Sequence, residues 1–394
     1  MVVPSSSVIK SQMLSERSLF LHFLRIFSAI LVCLNHSKEF FLLPMVGTPQ
    51  LFEMLVRPLM SLGSSAVLVF FFLSGYLVGG NELERFYFGE LRPRKYLVDR
   101  LSRLWLVLIP ALAFTFILNS ISCNPNRVSL YCSASLDLAS HADGPPLLDQ
   151  NIYSLLESIL FLQPFQGNVF GGNGPLWSLS YEFWYYIVFY FVILLISSIR
   201  TKKFQIELLA FFLLFMGGVS ILNFDWFALG LVWIAGAISK TLVNNLDKKT
   251  SLNNLRLFQN YKILKIAIFM VFPAMISVTL LPRITFSFPL LVLLLVLATA
   301  ISNNKVMLME DKLFNKSIVR GSEISFSLYI IHFPILALLS TYVTPVLRWE
   351  FGLGSVTFVT MMVIFSLLVA YVFAFFTELK LSSMRNRLRF LYGK

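Results

Sequence analysis

An all-α bundle of about ten membrane-spanning helices is the fold class this sequence predicts, and three observations predict it. Of its 394 residues, 57% are hydrophobic and only 13% charged, more apolar surface than a soluble core of this length hides. The apolar residues gather into ten runs of about 17 to 25, the length that crosses the hydrocarbon of a bilayer. Lysine and arginine collect in alternate connecting segments, the distribution that membrane topology selects. The net charge of +12 is therefore a consequence of orientation, and nucleic acid is not an expected partner.

In chain order the runs lie at 19–42, 62–80, 104–122, 176–198, 204–222, 226–243, 263–281, 285–302, 323–344 and 354–377. The first carries Arg25 in its middle and has no small-residue cleavage site, so it reads as a retained helix and not as a signal peptide. A basic segment, 81–103, with Arg85, Arg92, Arg94, Lys95, Arg100 and Arg103, separates the second run from the third. Further basic segments at 199–203, 244–262, 303–320 and after Glu378 fall on the same side if every run spans. The opposite side receives only Arg57, Arg127, Arg283 and Arg348. Both termini are then expected in the cytoplasm of a bacterial inner membrane. The whole chain, 1–394, reads as one membrane domain with helices within 19–377 and cytoplasmic tails at 1–18 and 378–394.

Connecting the third and fourth runs, the long outward loop 123–175 contains an expected interfacial helix near 152–163. It also holds Cys123 and Cys132, which a disulfide could join in an oxidising periplasm. Cys33, in the first run, reads as a small buried hydrophobe. There is no glycine-rich nucleotide loop, no GxSxG, no CxxC and no cluster of metal ligands. Any active site must therefore be assembled from intramembrane side chains or from the loops that join the helices.

Four places qualify. Leu24 to Ser37, LRIFSAILVCLNHS, puts Arg25 and His36 inside the first span with ten residues between them. A charge at bilayer depth costs about 2.5–3.5 kcal/mol on insertion scales, so it is kept mainly where it acts. Eleven steps of 100° return to within about 20°, so the two share a helix face about 16 Å apart. The second place is FFFLSGYLV, Phe70 to Val78, where Ser74 and Gly75 are small enough for another helix or an acyl chain to approach. The third is DRLSR, Asp99 to Arg103, in which Arg100 and Arg103 lie one turn apart on one face, suited to phosphates. The fourth is a pair of segments, NGPLWSLSYEFWYY (Asn173 to Tyr186) and SFSLYIIHFP (Ser325 to Pro334). They contribute Trp177 and Glu182 near the outer end of one span, and Ser327, Tyr329 and His332 on another, the last two sharing a face at i, i+3.

The arginine-x10-histidine pair, FFxLSGY, RxxR, PLWSLxxEFWYY and SxSLYIIHFP occur here in the order seen in the acyltransferase 3 family of integral membrane acyltransferases, and the chain resembles that family from about Arg17 to Phe376. The resemblance implies transfer of an acyl group, usually acetyl, from cytoplasmic acyl-coenzyme A to a hydroxyl of a glycan or similar acceptor. It implies that His36 is the essential histidine and Arg25 its motif partner. On that reading Arg100 and Arg103 hold donor phosphates. Glu182 and His332 assist catalysis, while Trp177, Tyr329, Ser327 and Ser74 contact substrate. No metal is expected. Some members of the family carry an added extracytoplasmic hydrolase-like domain. None is expected after the last run here, and a separate periplasmic or glycan-assembly protein is then an expected partner in delivering the acceptor. A transporter or flippase for glycans or lipid-linked sugars is the alternative, with Arg25, Glu182 and His332 lining a polar path.

Overall fold

The computed structural model describes residues 6–44, 50–123, 150–165, 167–200, 224–250, 312–344 and 348–380. Among these residues the regular structure is helical, with one isolated bridge between Leu42 and Trp349. The helices are α1 (Ser6–Phe41), α2 (Leu51–Met60), α3 (Gly63–Ser74), a π-helical turn (Gly75–Gly79), α4 (Gly80–Tyr87), α5 (Pro93–Ser122), α6 (Ile152–Ile159), α7 (Leu176–Arg200), α8 (Phe224–Thr250), α9 (Lys312–Val343) and α10 (Leu353–Phe376). Six stretches of the described residues are long and apolar enough to cross a bilayer: Leu19–Phe41, Leu51–Tyr87, Pro93–Ser122, Leu176–Ser198, Ser325–Val343 and Leu353–Lys380. The expected run at 226–243 coincides with α8. Those at 204–222, 263–281 and 285–302 lie outside the described residues.

Local chemistry starts these helices where the sequence allows it. Pro93 opens α5 at a position where its missing N–H costs nothing. Asn151 caps α6 by accepting the Ser154 N–H at 2.8 Å. Ser355 accepts the Gly352 N–H at 3.0 Å at the start of α10.

The chain packs as two compact units. One comprises residues 1–28, 64–90 and 229–323. Here the segment around the π-helical turn meets α8 at backbone distance. A Cβ on Gly75 would stand 1.8 Å from the Trp233 carbonyl oxygen, and one on Gly236 would stand 2.2 Å from that of Phe72. Small residues on both faces are what permit this approach. The close approach expected at Ser74 and Gly75 is thus made by a helix. Ser74 Oγ accepts the Trp233 indole N–H at 3.1 Å.

The other unit comprises residues 29–63, 91–228 and 324–394. Helices α5 and α7 are joined by the Tyr96 hydroxyl, which donates to the Tyr186 carbonyl at 3.0 Å, and by stacking of Tyr96 on Tyr190. The described part of the connection before α7 is anchored to α5 at two points. Trp105 Nε1 donates to the Ile159 carbonyl at 3.0 Å, and Asn119 Nδ2 donates to that of Gly171 at 2.7 Å. Fourteen residues of α5 separate those two anchors, about 21 Å of helix rise. The connection therefore runs back along α5. Irregular backbone in a membrane bundle is tolerated where protein buries it, and Phe161, Gln163, Phe170 and Asn173 are buried. Phe161, with φ of +58° and 1% exposure, shows how firmly it is held. Its ring stacks on Phe183 at 4.4 Å and its carbonyl accepts the Trp184 indole N–H at 2.7 Å. Such a backbone persists only where surrounding contacts fix it.

Cys123 is disulfide-bonded and Cys33 is free and buried. Cys132 lies outside the described residues.

Candidate active site

His36 and His332 meet. The 36th residue lies near the end of α1, the 332nd in the middle of α9, and His36 Nδ1 is 2.8 Å from His332 Nε2. Their rings stack with centroids 5.1 Å apart, and Phe333 closes on His36 edge-on at 5.2 Å. His332 Nδ1 is 2.9 Å from the Leu328 carbonyl oxygen, which can only accept. With one proton on each ring, the hydrogen-bond pattern has a single solution. His332 donates from Nδ1 to the carbonyl and accepts at Nε2, and His36 donates from Nδ1. The lone pair of His36 is then on Nε2. His332 is fully buried, whereas His36 is only partly buried.

A proline shapes the turn that carries His332. Pro334 lies inside α9 and has no N–H to give the Ile330 carbonyl. Asn173 supplies the missing donor: its Nδ2 is 2.9 Å from that oxygen and 3.2 Å from Thr115 Oγ1. Asn173 is itself placed by the 3-10 turn Phe170–Gly172, where Gly171 and Gly172 both have φ of +63°. Beside it, the Tyr329 hydroxyl is 2.6 Å from Ser178 Oγ. Ser178 also donates to the Pro175 carbonyl at 3.0 Å, so it accepts from the tyrosine. Tyr329 and His332 hold ring centroids 6.1 Å apart, as their i, i+3 spacing on one face requires.

A second polar group gathers toward the Pro93 end of α5. The Tyr186 hydroxyl donates to Glu182 Oε1. Arg103 interacts electrostatically with Tyr186, Glu182 and Glu378, and Arg100 with Tyr186. Glu378 Oε2 accepts both the N–H and the hydroxyl of Ser327, each at 3.0 Å. Arg100 Nε is buried with no hydrogen-bond partner among the described residues. Twelve residues of α5, about 18 Å of rise, separate Arg103 from Thr115, which is at the level of the histidine pair.

Six of the residues singled out in the sequence therefore belong to two neighbouring polar groups of one unit: His36, His332 and Tyr329 in one, Glu182, Arg103 and Ser327 in the other. Arg100 joins the second through Tyr186. Glu182 accepts the Tyr186 hydroxyl and interacts electrostatically with Arg103, which lies in the third turn of α5. Trp177 is 36% exposed and packs edge-on to Tyr181 at 4.9 Å. Arg25 and Ser74 belong to the other unit, where Arg25 interacts electrostatically with His22.

Asn173, Ser178, Tyr186 and Glu378 are the residues that sequence reasoning passed over. One signal pointed to the first: a proline inside a span leaves a carbonyl that some donor must satisfy. Glu378 reads in the sequence as the start of a tail, yet its carboxylate binds Ser327. Among the described residues, no group of three or more His, Cys, Asp or Glu could hold a metal ion.

The chain matches the family model described as an acyltransferase domain over residues 18–375. No curated protein and no solved structure matches it.

Proposed function

The chain belongs to the acyltransferase domain family, and on that premise we propose that it moves an acetyl group from cytoplasmic acetyl-coenzyme A to a hydroxyl of a cell-surface polysaccharide or lipid-linked glycan. The observation that carries this reading is the His36–His332 pair. It leaves a lone pair on Nε2 of the less buried ring, where a general base needs one.

The chemistry follows from that lone pair. An acceptor hydroxyl gives its proton to His36 Nε2 as its oxygen attacks the thioester carbonyl. The C–O bond forms, the C–S bond breaks, and the proton passes from His36 to the departing thiolate. His332 holds His36 in the productive tautomer through the hydrogen bond at Nδ1, and its own tautomer is held by the Leu328 carbonyl. Direct attack is favoured over an acyl-serine. Ser327 is fully buried and its hydroxyl is committed to Glu378.

The donor's phosphates fit the arginine group. Arg100 and Arg103 converge on α7, and Arg100 has a buried N–H with no partner among the described residues. Guanidinium groups match phosphate oxygens in pairs. A nucleotide held at the basic Pro93 end of α5 would extend its long thioester arm toward the histidines, keeping phosphates out of the hydrocarbon. On this reading the Pro93 end of α5 is cytoplasmic, and the protein is a multi-pass protein of the bacterial inner membrane.

Proton NMR of surface polysaccharide from a deletion strain tests the proposal. The expected result is loss of an acetyl methyl signal that returns with the intact gene and not with His36→Ala. Unchanged acetylation with impaired polymer export would favour a flippase instead.

A further inference from the structure

We infer that Asn173 is a positioning residue for the acyl transfer: its side chain replaces the backbone amide that Pro334 lacks and thereby fixes the turn of α9 that presents His332 to His36. The inference rests on the acyltransferase reading above. Its grounds are in the hydrogen bonds around residues 330–334.

In an unbroken helix the amide of residue 334 would bond the carbonyl of residue 330, and proline removes that donor. An unpaired carbonyl inside a helix at membrane depth lets the turn open, and here the turn contains His332, two residues from each end. Asn173 Nδ2 closes it at 2.9 Å. The amide's other hydrogen goes to Thr115 Oγ1 at 3.2 Å, and Thr115 is anchored to the Ala111 carbonyl at 2.8 Å. The clamp is thus tied to α5, one of the longest helices of the unit. One turn further on, Asn119 holds the Gly171 carbonyl at 2.7 Å and so fixes the backbone from which Asn173 projects.

The asparagine serves as a donor at some cost. Asn173 is fully buried, and its Oδ1 has no hydrogen-bond partner among the described residues. Leaving a buried acceptor unpaired is unfavourable, so the residue is explained by the two bonds its Nδ2 makes. The arrangement also accounts for why a proline is tolerated next to His332. A proline-containing turn closed from outside holds the imidazole at a fixed angle, as a base-orienting group must be held to within a fraction of an ångström.

A double-mutant cycle tests this directly. Asn173→Ala, Pro334→Ala and the double variant are assayed with His36→Ala for acetyl transfer in purified membranes. Saturating donor gives kcat, and the donor KM is read separately. Asn173→Ala is expected to lower kcat about tenfold or more with the donor KM unchanged. In the Pro334→Ala background, where an amide again faces the Ile330 carbonyl, the same change should cost under about threefold. Should Asn173→Ala fail to accumulate, recovery of folded and active protein on adding Pro334→Ala reads the same bond. An equal loss in both backgrounds overturns the inference, as does a harmless Asn173→Ala. A folded but inactive Pro334→Ala overturns it too, because the proline and not the clamp would then position His332. Each of these leaves the proposed function standing if His36→Ala is inactive, whereas an active His36→Ala removes the function and the inference with it.

Discussion

Replacing His332 is the perturbation that most sharply separates the two histidines. In His332→Ala the Nδ1–H of His36 loses its acceptor at 2.8 Å, and the ring is free to rotate or to exchange tautomers. A donor left unsatisfied in a buried setting costs about 1–3 kcal/mol, which corresponds to a fall in kcat of about 5- to 150-fold. His36→Ala removes the base itself and should cost about 10² to 10⁴. His332→Gln adds a diagnostic comparison. Its Oε1 reaches the position of the imidazole Nε2 and can still accept from His36, so it should retain more activity than His332→Ala. The assay is acetyl transfer from labelled acetyl-coenzyme A in membranes, with protein quantified in parallel and donor binding measured separately. The reasoning is refuted if folded His332→Ala turns over like wild type, or if the glutamine variant is no better than the alanine variant.

Further expectations follow from the same geometry. Arg100→Lys should raise the donor KM about tenfold with little change in thermal stability, since an ammonium cannot reproduce the planar fork; an unchanged KM would make Arg100 a topology anchor only. Arg103→Lys should lower thermal stability as well, because Arg103 is engaged with Glu182, Tyr186 and Glu378; a melting temperature equal to wild type in detergent would contradict this. Gly171→Ala should destabilise the protein by about 1–3 kcal/mol. Its φ is +63°, and a Cβ would stand 2.7 Å from both Asn119 Nδ2 and Thr115 Cγ2. Size-exclusion profiles after graded heating read that loss. A topology reporter placed at Asp143 should report the periplasm, and a cytoplasmic signal there would reverse the proposed orientation.

Composition and pattern alone determined a great deal about this protein. The membrane class follows because hydropathy is a sum over residues and needs no contacts. Arg25, His36, Glu182 and His332 stood out for the same additive reason, as polar groups are costly wherever the chain puts them in lipid. The pairing of Tyr329 with His332 was legible because a helix fixes i, i+3 neighbours by itself. Tertiary structure alone decided which of these groups touch. His36 and His332 are 296 residues apart, and no local period relates them. The return of the 150–175 connection along α5 was hidden because its residues form no long apolar run. Glu378 was hidden because its partner Ser327 lies on another helix. Asn173 is an intermediate case. Pro334 announced in the sequence that the Ile330 carbonyl needs a donor, but a backbone oxygen accepts from any donor in reach, and only packing put the Asn173 amide there.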